Sequence, residues 1–563
     1  MEPEFDFDAI VVGSGITGGW SAKQLTQAGL KVLMVERGRE IVHGRDYTTE
    51  MKAPWDMPFR GRGDPELFAS EFPVQRLNRH FTEFTQNHFV SDRENPYQTG
   101  ADTNFNWYRS YQLGGRSLTW GRQSYRWSDY DFGANLRDGH GTDWPIRYAD
   151  LAPWYDLVEE FIGVSGSMEG VPSLPDGKFQ PPMALNAVEQ AMRERIMARW
   201  PERRLMIGRT ANLTEAKPGR APCQNRAICP RGCSFGAYFS TQSSTLPAAR
   251  ATGNLTVVTD AVVDKLDYDP ATRRVTGVRW VGRNGAASGS ATARMVFLNA
   301  GSFNSVQLLM NSASEANPNG LANSSGVLGQ YIMDHPTTLS AAALVPGFEG
   351  VTTFGNRPTG AVIARYRNTD QMDGVGHTRG FSYQGGALQS AWVRGAREAG
   401  VGSDYKASLR GPGPWRVVLV AFADCMPRSS NRLTLDRTRV DANGIPQLKI
   451  DFAYGAEEHA ALAQAKADAA DMLTHAGGRV IMGFDRPGAG GSAIHEMGGA
   501  RMGHDPATSV LNKWSQAHDI ANLFVTDGAQ MSSSACQNPS LTYMALTARA
   551  ADHAVQLLRE GVI

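Results

Sequence analysis

The sequence predicts an α/β protein that opens on a Rossmann-like, dinucleotide-binding unit. The apolar run from Asp8 to Val12 predicts a buried strand, and a glycine-rich turn follows over residues 13–19. A helical pattern continues over residues 22–30, and a second strand from Lys31 to Val35 ends in Glu36. Strand, glycine turn, helix and strand in this order are typical of the βαβ unit of a doubly wound sheet.

Each part of this unit has a physical role in holding a dinucleotide. Gly13 permits the tight turn, Gly15 lets the backbone approach a pyrophosphate, and Gly18 allows the helix to pack closely on the strand. The helix N-terminus attracts the phosphates. Glu36 lies 21 residues after Gly15, the spacing at which a carboxylate meets the adenosine ribose hydroxyls.

The composition is that of a large soluble protein. Of the 563 residues, 41% are hydrophobic and 20% charged, and 56 basic residues balance 56 acidic ones, so we expect no nucleic acid partner. The longest apolar runs, such as Val417 to Ala423, are far shorter than the roughly 20 residues that cross a bilayer, which predicts no direct membrane span. Residues 1–8 are acidic and lack the features of a secretory signal.

Three of the five cysteines lie close together, at Cys223, Cys229 and Cys233. An iron-sulfur cluster with three thiolate ligands explains this concentration best. Zinc, a disulfide with one spare thiol, and chance stay open as alternatives. A closed structural zinc site needs four ligands, and no histidine lies between His140 and His335 to complete one locally.

From end to end, the chain resembles the glucose-methanol-choline (GMC) oxidoreductase family. Five separate motifs besides the opening turn carry this resemblance, in the family's order: Leu113–Gly121, Asn299–Ser302, Gly329–Pro336, the run from His495 to Gly503, and Cys536–Thr542. The resemblance implies an FAD-binding domain of Rossmann type with a discontinuous α+β substrate domain built on an antiparallel sheet.

The resemblance also implies FAD as the cofactor and a set of residues that bind it: Gly13, Gly15, Ile16, Thr17, Gly18, Glu36, Arg37, Gly114, Gly115, Ser117, Thr119, Trp120, Val262, Ala300, Gly301, Asp527, Gly528, Asn538 and Pro539. One relative in the family has a histidine where Thr119 stands, and that histidine bonds covalently to the flavin. Because threonine cannot do so, we expect non-covalent FAD.

Oxidation of an alcohol needs a base that removes the hydroxyl proton while a hydride leaves the same carbon. Histidine suits this task by its pKa. The resemblance implies that His495 is the base and that Asn538 orients the hydroxyl. His504 lies in a turn and is expected to be structural, and His335 is expected to anchor the loop beneath the flavin.

Within the family the chain is most similar to the catalytic subunits of bacterial multisubunit sugar dehydrogenases, whose cluster cysteines share the C-x5-C-x3-C spacing. This similarity implies a 3Fe-4S cluster on Cys223, Cys229 and Cys233. It implies a sugar or glycoside substrate, best matched to glucoside 3-dehydrogenases that form a 3-keto sugar by oxidising the C3 hydroxyl. It also implies a small export or chaperone-like subunit, a cytochrome c subunit or other electron acceptor, and a periplasmic or membrane-associated location, with the cytoplasm open.

Other functions stay open on the sequence. The same catalytic pair could serve a glucose, gluconate or polyol dehydrogenase, or an oxygen-dependent oxidase that produces hydrogen peroxide. A flavin-containing electron-transfer subunit without its own substrate is a third class, and the pair of His495 and Asn538 argues against it.

Five segments are predicted. They are an FAD-binding part at 1–150 with an irregular lid or docking segment at 43–103, a substrate part at 151–214, a second FAD-binding part at 215–336 with the iron-sulfur loop 223–233, a second substrate part at 337–490, and a third FAD-binding part at 491–563 with the catalytic pair. A helix is predicted after Asp150, which is a plausible N-cap.

Overall fold

The computed structural model describes residues 5–353, 355–370, 372–391, 394–395 and 399–563. Residues 1–4, part of the stretch in which the sequence predicts no secretory signal, lie outside these ranges. The strands of the described residues are β1 Phe7–Val12, β2 Val32–Val35, β3 Gln98–Thr99, β4 Leu205–Ile207, β5 Leu255–Val258, β6 Ala261–Asp269, β7 Arg274–Gly282, β8 Gly289–Leu298, β9 Thr337–Val345, β10 Ala361–Ile363, β11 Phe381–Gln389, β12 Trp415–Ala423, β13 Arg432–Val440, β14 Pro446–Asp451, β15 Arg479–Met482 and β16 Leu523–Val525. The α-helices are α1 Ile16–Gln27, α2 Pro65–Glu71, α3 Asp129–Phe132, α4 Ala134–Asp138, α5 Tyr148–Ile162, α6 Ala187–Arg199, α7 Thr245–Arg250, α8 Ser302–Asn311, α9 Gly402–Ser408, α10 Ala456–His475 and α11 Ser540–Arg559.

The first sheet is a parallel core with an antiparallel extension. Its strands run in the order β5-β2-β1-β8, all parallel, and β16 pairs with β8 in parallel as well. The hairpin β6-β7 adds to β8 in antiparallel fashion. Buried apolar residues on both faces of β1, from Ala9 to Val12, explain why this strand lies in the middle of the sheet.

The second sheet is antiparallel, in the order β15-β9-β12-β11-β10-β4. Side chains alternate between buried and partly exposed along β12, which is typical of a strand with one covered face. The helix α10 packs against this sheet through buried residues such as Leu462, Ala465 and Ala469. A small third sheet joins β13, β14 and β3.

The α/β fold with a second, antiparallel sheet confirms the fold class that the sequence predicts. The first sheet takes its strands from three separated stretches of chain, 7–35, 255–298 and 523–525, and the second sheet takes its strands from 205–207 and from 337–482. The exact boundaries of the five predicted segments stay a prediction. No helix in the described part of the chain has both the length and the apolar character that crossing a membrane requires.

Two local expectations can be compared with the structure. The segment 43–103 holds the short helix α2, two-residue strand β3 and several single turns, so it is largely irregular, as predicted. Asp150 is not the N-cap of α5, which is Arg147. The Asp150 carboxylate lies one turn inside the helix and accepts a hydrogen bond of 2.8 Å from the backbone N–H of Arg147. The Asp150 carboxylate therefore accepts a backbone N–H group at the start of the helix from the third helical position, and Asp150 is not itself the N-cap residue.

Candidate active site

A large cavity opens at the carboxyl ends of the parallel strands. Gly13 follows β1, Glu36 follows β2, Asn299 follows β8, and Asp527 lies two residues after β16, and all four residues line this cavity. In open α/β sheets, ligands bind at this edge. The fold therefore brings the predicted dinucleotide motifs, which lie hundreds of residues apart in sequence, to one place.

The glycine turn leaves room for a ligand where a side chain would close it. Gly13 has φ of +93°, and a Cβ there would lie 2.4 Å from the carbonyl oxygen of Asn299. At Gly15, the N-cap of α1, a Cβ would meet no atom within 4 Å. The helix N-terminus therefore opens onto empty space, which suits a phosphate group.

Two buried carboxylates face the cavity, one after β2 and one after β16 of the first sheet. Glu36 accepts hydrogen bonds from the Ser14 hydroxyl at 2.5 Å and from the Gly38 backbone N–H at 2.8 Å, and burial raises its pKa. Asp527 accepts from the Ser305 hydroxyl at 2.5 Å, and burial raises its pKa to about 6. Both groups are acceptors, as ribose or ribityl hydroxyls require.

Most of the residues predicted to bind the cofactor line the cavity: Gly13, Gly15, Ile16, Thr17, Glu36, Arg37, Gly115, Ser117, Thr119, Trp120, Val262, Ala300, Gly301, Asp527, Gly528, Asn538 and Pro539. Gly18 and Gly114 do not. A Cβ at Gly18 would lie 2.0 Å from the carbonyl oxygen of Gly13, and one at Gly114 would lie 2.1 Å from the Gln242 amide. Both glycines therefore shape the walls through close packing and do not face the cavity.

The sequence reasoning missed a whole wall of the cavity. Lining residues without a prediction include Asn78, His80, Phe89, Arg109, Tyr111, Arg116, Arg122, Gln123, Asn299, Asn304, Glu496 and Tyr543. Many of them come from the stretch 78–123, where irregular backbone gives no periodicity to interpret. The Arg116 and Glu496 side chains form an ion pair of 2.6 Å that joins this wall to the C-terminal part of the chain.

The predicted catalytic pair lies in contact at the cavity wall. His495 stands in the irregular chain between β15 and β16, and Asn538 directly precedes Pro539, the N-cap of α11. The Nε2 atom of His495 lies 3.0 Å from the amide nitrogen of Asn538, and both residues line the cavity. The amide oxygen of Asn538 accepts a hydrogen bond of 2.6 Å from Gln384 on β11 of the second sheet. The two sheets therefore meet at this pair.

Behind the pair lies the Asp-His-Pro element. The Nδ1 atoms of His495 and His335 are 3.1 Å apart, and the Asp334 carboxylate accepts the backbone N–H of His495 at 2.9 Å. Burial and the nearby Glu496 raise the pKa of Asp334 to about 7. Burial lowers the pKa of His335 to about 4, and burial, His335 and Arg116 lower that of His495 well below its usual value. Both imidazoles are therefore neutral near pH 7.

The other histidine that the sequence singles out lies away from this pair. His504 is exposed, and its ring lies 3.9 Å from the Asp143 carboxylate. Three aromatic residues, Trp107, Tyr108 and Trp120, line the cavity, whereas Trp127 is fully buried in the core.

The cysteine loop, residues 223–233, packs behind the wall of the cavity to which the glycine-rich turn Gly115–Leu118 belongs. Cys229 begins a 3-10 turn, Cys229–Arg231, which contacts the turn Gly115–Leu118. The Tyr238 hydroxyl donates a hydrogen bond of 2.8 Å to the Leu118 carbonyl, and its buried ring lies close enough to Cys229 and Cys233 for their charges to act on its pKa. One wall of the cavity is therefore backed by the three thiols.

The three cysteines of the loop are unpaired and only partly buried. Burial raises the pKa of Cys223, and the neighbouring Cys229 and Cys233 raise it further. The disulfide interpretation is therefore not realised. In the part of the chain that the structure describes, however, no three His, Cys, Asp or Glu side chains are arranged to hold a metal ion. The sequence-based cluster prediction thus gains no support from a preformed ligand set.

Comparison with known proteins shows what the chain is similar to. A model described as GMC oxidoreductase matches residues 207–337, and a second model with the same description matches residues 427–547. The chain is 27% identical over 566 residues to the fructose dehydrogenase large subunit of Gluconobacter japonicus, which covers 98% of each protein. In these two parts the chain is therefore similar to GMC oxidoreductases.

Two further proteins are similar to this chain over nearly its whole length. It is 28% identical to the 2-methyl-1,2-propanediol dehydrogenase of Mycolicibacterium austroafricanum, over 97% of the chain and 94% of that protein. The crystal structure of pyridoxine 4-oxidase from Mesorbium loti has the same fold, with a TM-score of 0.60 at 18% identity, covering 97% of this chain and 98% of that one.

GMC oxidoreductases bind FAD, and the residues of this cavity fit that cofactor. The open helix N-terminus at Gly15 suits the pyrophosphate, and the Glu36 and Asp527 carboxylates suit hydroxyl groups. Thr119 lines the cavity and offers no nucleophile comparable to a histidine ring, so non-covalent binding stays the prediction.

Proposed function

We propose that this chain is an FAD-dependent dehydrogenase of the GMC oxidoreductase family that oxidises a hydroxyl group of a sugar or glycoside. The observation that carries the proposal is the contact of His495 Nε2 with the Asn538 amide, at 3.0 Å, on the wall of the dinucleotide cavity. A neutral imidazole beside an amide is able to bind a hydroxyl and take its proton. The names of the fructose and 2-methyl-1,2-propanediol dehydrogenases support an alcohol group as the site of oxidation.

The proposed division of labour follows from the chemistry of the two side chains. His495 accepts the hydroxyl proton at Nε2, and Asn538 holds the hydroxyl oxygen through its amide. Although the lowered pKa makes His495 a weak base, a hydroxyl becomes strongly acidic as the hydride leaves its carbon, so a weak base suffices. Bound FAD would supply the oxidant that accepts the hydride.

A panel of sugars tests this function. FAD-loaded enzyme is mixed anaerobically with methyl α-D-glucopyranoside, D-glucose, D-fructose, D-gluconate or glycerol, and the visible absorbance of the flavin is followed. We expect the glucoside to bleach the flavin and its product, by NMR, to be the 3-keto sugar. If only another compound of the panel bleaches the flavin, the proposed activity becomes that of a glucose, fructose, gluconate or polyol dehydrogenase. If no compound of the panel bleaches the flavin, the proposal is overturned.

We further propose that Cys223, Cys229 and Cys233 hold a 3Fe-4S cluster that carries electrons to a cytochrome c subunit or another acceptor. Support comes from the unpaired thiols and from Arg220, which is 6% exposed. Its Nη2 atom has no hydrogen-bond partner, and no carboxylate of the described residues forms an ion pair with it. The ionisable side chain that acts on it is Cys233. A buried, uncompensated cation favours an anionic group at these thiols.

Metal and spectroscopic analysis tests the cluster. We expect about three iron ions per chain, from the three-thiolate ligation, and an electron paramagnetic resonance signal of the air-oxidised protein at low temperature. Stoichiometric zinc, or protein that is fully active without bound metal, would overturn this part of the proposal.

Partner subunits and location complete the proposal. The name of the Gluconobacter relative, a large subunit, supports assembly with other subunits. We propose a small export or chaperone-like partner and a periplasmic or membrane-associated location. Cell fractionation checks this, and an enzyme found only in the cytoplasm would contradict it.

One observation favours a second function, an oxygen-dependent oxidase. The described residues hold no group of side chains arranged for a metal ion, so electrons would then leave the flavin for oxygen and not through the cysteine loop. Hydrogen peroxide formed in step with substrate consumption would favour the oxidase, and peroxide-free turnover with an artificial acceptor favours the dehydrogenase.

A further inference from the structure

The polar contacts of His495 continue away from the cavity. Its Nε2 atom faces Asn538 at 3.0 Å, and its Nδ1 atom faces the Nδ1 atom of His335 at 3.1 Å. His495 and Asn538 line the cavity, whereas His335 does not and is 1% exposed. His335 therefore cannot touch a substrate, but it touches the ring that does.

One proton lies between the two imidazoles. Because burial and neighbouring groups lower both pKa values, each ring is neutral and carries its single proton on one of two nitrogens. Two Nδ1 atoms at 3.1 Å form a hydrogen bond only if one is protonated and the other is not. The question is which ring donates.

The surroundings of His335 allow it to accept. Nε2 of His335, the nitrogen that does not face His495, is buried and has no hydrogen-bond partner among the described residues. The backbone carbonyl of Ala535, which can only accept, favours a proton on the His335 ring. With that proton on Nε2, Nδ1 of His335 is a lone pair that can accept the His495 Nδ1–H.

The surroundings of Asn538 decide which ring donates. Gln384 donates to the amide oxygen of Asn538 at 2.6 Å, which turns the amide N–H groups of Asn538 towards His495. An N–H group at 3.0 Å from His495 Nε2 needs a lone pair there. The contacts of Asn538 therefore leave His495 Nε2 unprotonated, which places the single proton of the neutral His495 ring on Nδ1, facing His335.

We propose that His335 is a positioning residue that sets the tautomer of His495 by accepting its Nδ1 proton. This inference rests on the proposed role of His495 as the base and deepens it. With Nδ1 protonated, the Nε2 lone pair faces the cavity and can accept the hydroxyl proton: the O–H bond breaks, an Nε2–H bond forms, and the hydride leaves carbon for oxidised flavin. In the opposite tautomer, Nε2 already carries a proton and cannot accept one.

The same contact continues to act once the proton has moved. A protonated His495 is a buried cation beside Arg116, which disfavours it. Its Nδ1–H still has the His335 lone pair to donate to, so one of its two donors stays satisfied while the product forms. Without His335, that donor would face buried surroundings with no partner.

A matched pair of variants separates this role from simple packing. The amide oxygen of His335→Asn stands where Nδ1 stood and can accept, whereas that of His335→Gln stands where Nε2 stood. We expect flavin reduction, by the sugar that bleaches wild-type enzyme most strongly in the panel above, to change by a few-fold in His335→Asn. In His335→Gln it should fall by about 100-fold with KM unchanged. Equal losses in both variants would overturn the proposal.

The tautomer itself is measured without substrate. Magic-angle-spinning 15N NMR of FAD-loaded, 15N-histidine-labelled enzyme distinguishes protonated from unprotonated ring nitrogens, and the His495 signals are assigned by difference against His495→Gln. We expect protonated Nδ1 and unprotonated Nε2 at pH 7.5. A proton on Nε2 would overturn the inference even if a sugar bleaches the flavin. The expected tautomer in an enzyme that no sugar reduces would leave it standing and would overturn the proposed function alone.

Discussion

Two walls of the cavity handle charge in opposite ways. At the wall formed by His495 and Asn538, with His335 behind it, the groups are neutral and linked by hydrogen bonds of 3.0 and 3.1 Å. The cation nearest to it, Arg116, is paired with Glu496 at 2.6 Å. Behind the other wall, the cysteine loop is surrounded by cations.

The arginines at the cysteine loop differ in how they are balanced. Arg226 pairs with Glu50 at 2.5 Å and reaches the Cys233 sulfur at 3.7 Å. Arg122 acts on Cys223, and Arg220 is buried without an acidic partner among the described residues. The difference has a simple physical meaning: a neutral wall suits transfer of a proton to His495, because an imidazole must be uncharged to accept one. A cationic wall suits a site that carries negative charge.

The largest expected effect follows from replacing His495, the proposed catalytic base at the neutral wall. His495→Gln should slow flavin reduction by the substrate sugar about 1000-fold, within the range for loss of a general base, because the amide cannot take a proton. FAD content should not change, as the cofactor motifs lie elsewhere. Anaerobic stopped-flow absorbance measures the rate. The control is His504→Gln, which alters an exposed ring and should leave the rate at the wild-type value. Reduction by His495→Gln at an unchanged rate would remove the base role.

The next effect tests the cationic wall. Arg220→Met removes the buried cation and should weaken iron binding by about 10- to 100-fold, the usual range for groups behind a metal's ligands. Iron retained during titration with a chelator measures this. Arg231→Met is the control, because Arg231 lies in the same loop but donates to the Lys52 carbonyl and does not act on a thiol. In iron-free protein the substitution should instead be favourable. The free energy of unfolding of Arg220→Met should then be larger than that of the wild type. Equal iron retention in all three proteins would break the comparison.

A smaller effect concerns the pH dependence of the neutral wall. The pKa of His335 is about 4 in the folded protein and about 6.5 in an unfolded chain. Stability from the neutral ring is therefore fully present above pH 6.5 and is lost as the pH falls through 4. The free energy of unfolding of the wild type, relative to His335→Asn, should fall by about 2 kcal/mol between pH 7.5 and 5.

Denaturant titrations of both proteins at the two pH values measure this difference. Asp334, whose raised pKa acts in the opposite direction, is present in both proteins and cancels. A difference that is independent of pH would mean that the His335 ring is not kept neutral by burial.

The smallest effect concerns the link between the cysteine loop and the cavity wall in front of it. Tyr238→Phe removes the hydrogen bond of 2.8 Å to the Leu118 carbonyl and should lower the free energy of unfolding by about 1 kcal/mol. Because Leu118 belongs to the turn Gly115–Leu118 at the cavity wall, FAD should also bind more weakly. Thermal unfolding and FAD titration of the apoprotein measure both quantities. Tyr543→Phe, which removes a hydrogen bond of 3.1 Å to the Glu496 carbonyl, is the matched change on the other side of the cavity.

The sequence predicted the site residues that directly follow a regular strand. The glycine turn and Glu36 lie at the ends of predicted strands, so their meeting at one edge follows from the parallel sheet. The same holds for Asn299 and Asp527, although Asn299 was not assigned a role of its own. Gly18 and Gly114 do not line the cavity, and a Cβ at either would meet neighbouring atoms at 2.0 and 2.1 Å, so close packing requires glycine at both positions. Their role in cofactor binding stays a prediction.

The rest of the site has no local signal. His335 and His495 are separated by 160 residues, so nothing in the sequence near either one announces their contact, and His335 was expected only to anchor a loop. The wall from Asn78 to Gln123 is built from irregular backbone, where side-chain direction does not follow a period. Arg220 could not be recognised from the sequence either. Its Nε and Nη1 atoms donate to the backbone carbonyls of Gly236 and Ile162, and what distinguishes it is that no acidic side chain of the described residues pairs with it in space.

The position of β16 has a consequence for biosynthesis. This strand pairs with β8 in parallel, Leu523 to Val525 beside Val296 to Leu298, and carries Asp527 to the cavity. During translation, β8 is synthesised more than two hundred residues before β16. Until β16 is made, one edge of β8 has no paired strand and the cavity lacks one of its walls. A ribosome-bound chain therefore lacks both the catalytic pair and one wall of the flavin site. Firm capture of the cofactor becomes a late event, and newly made chains need protection from aggregation until then.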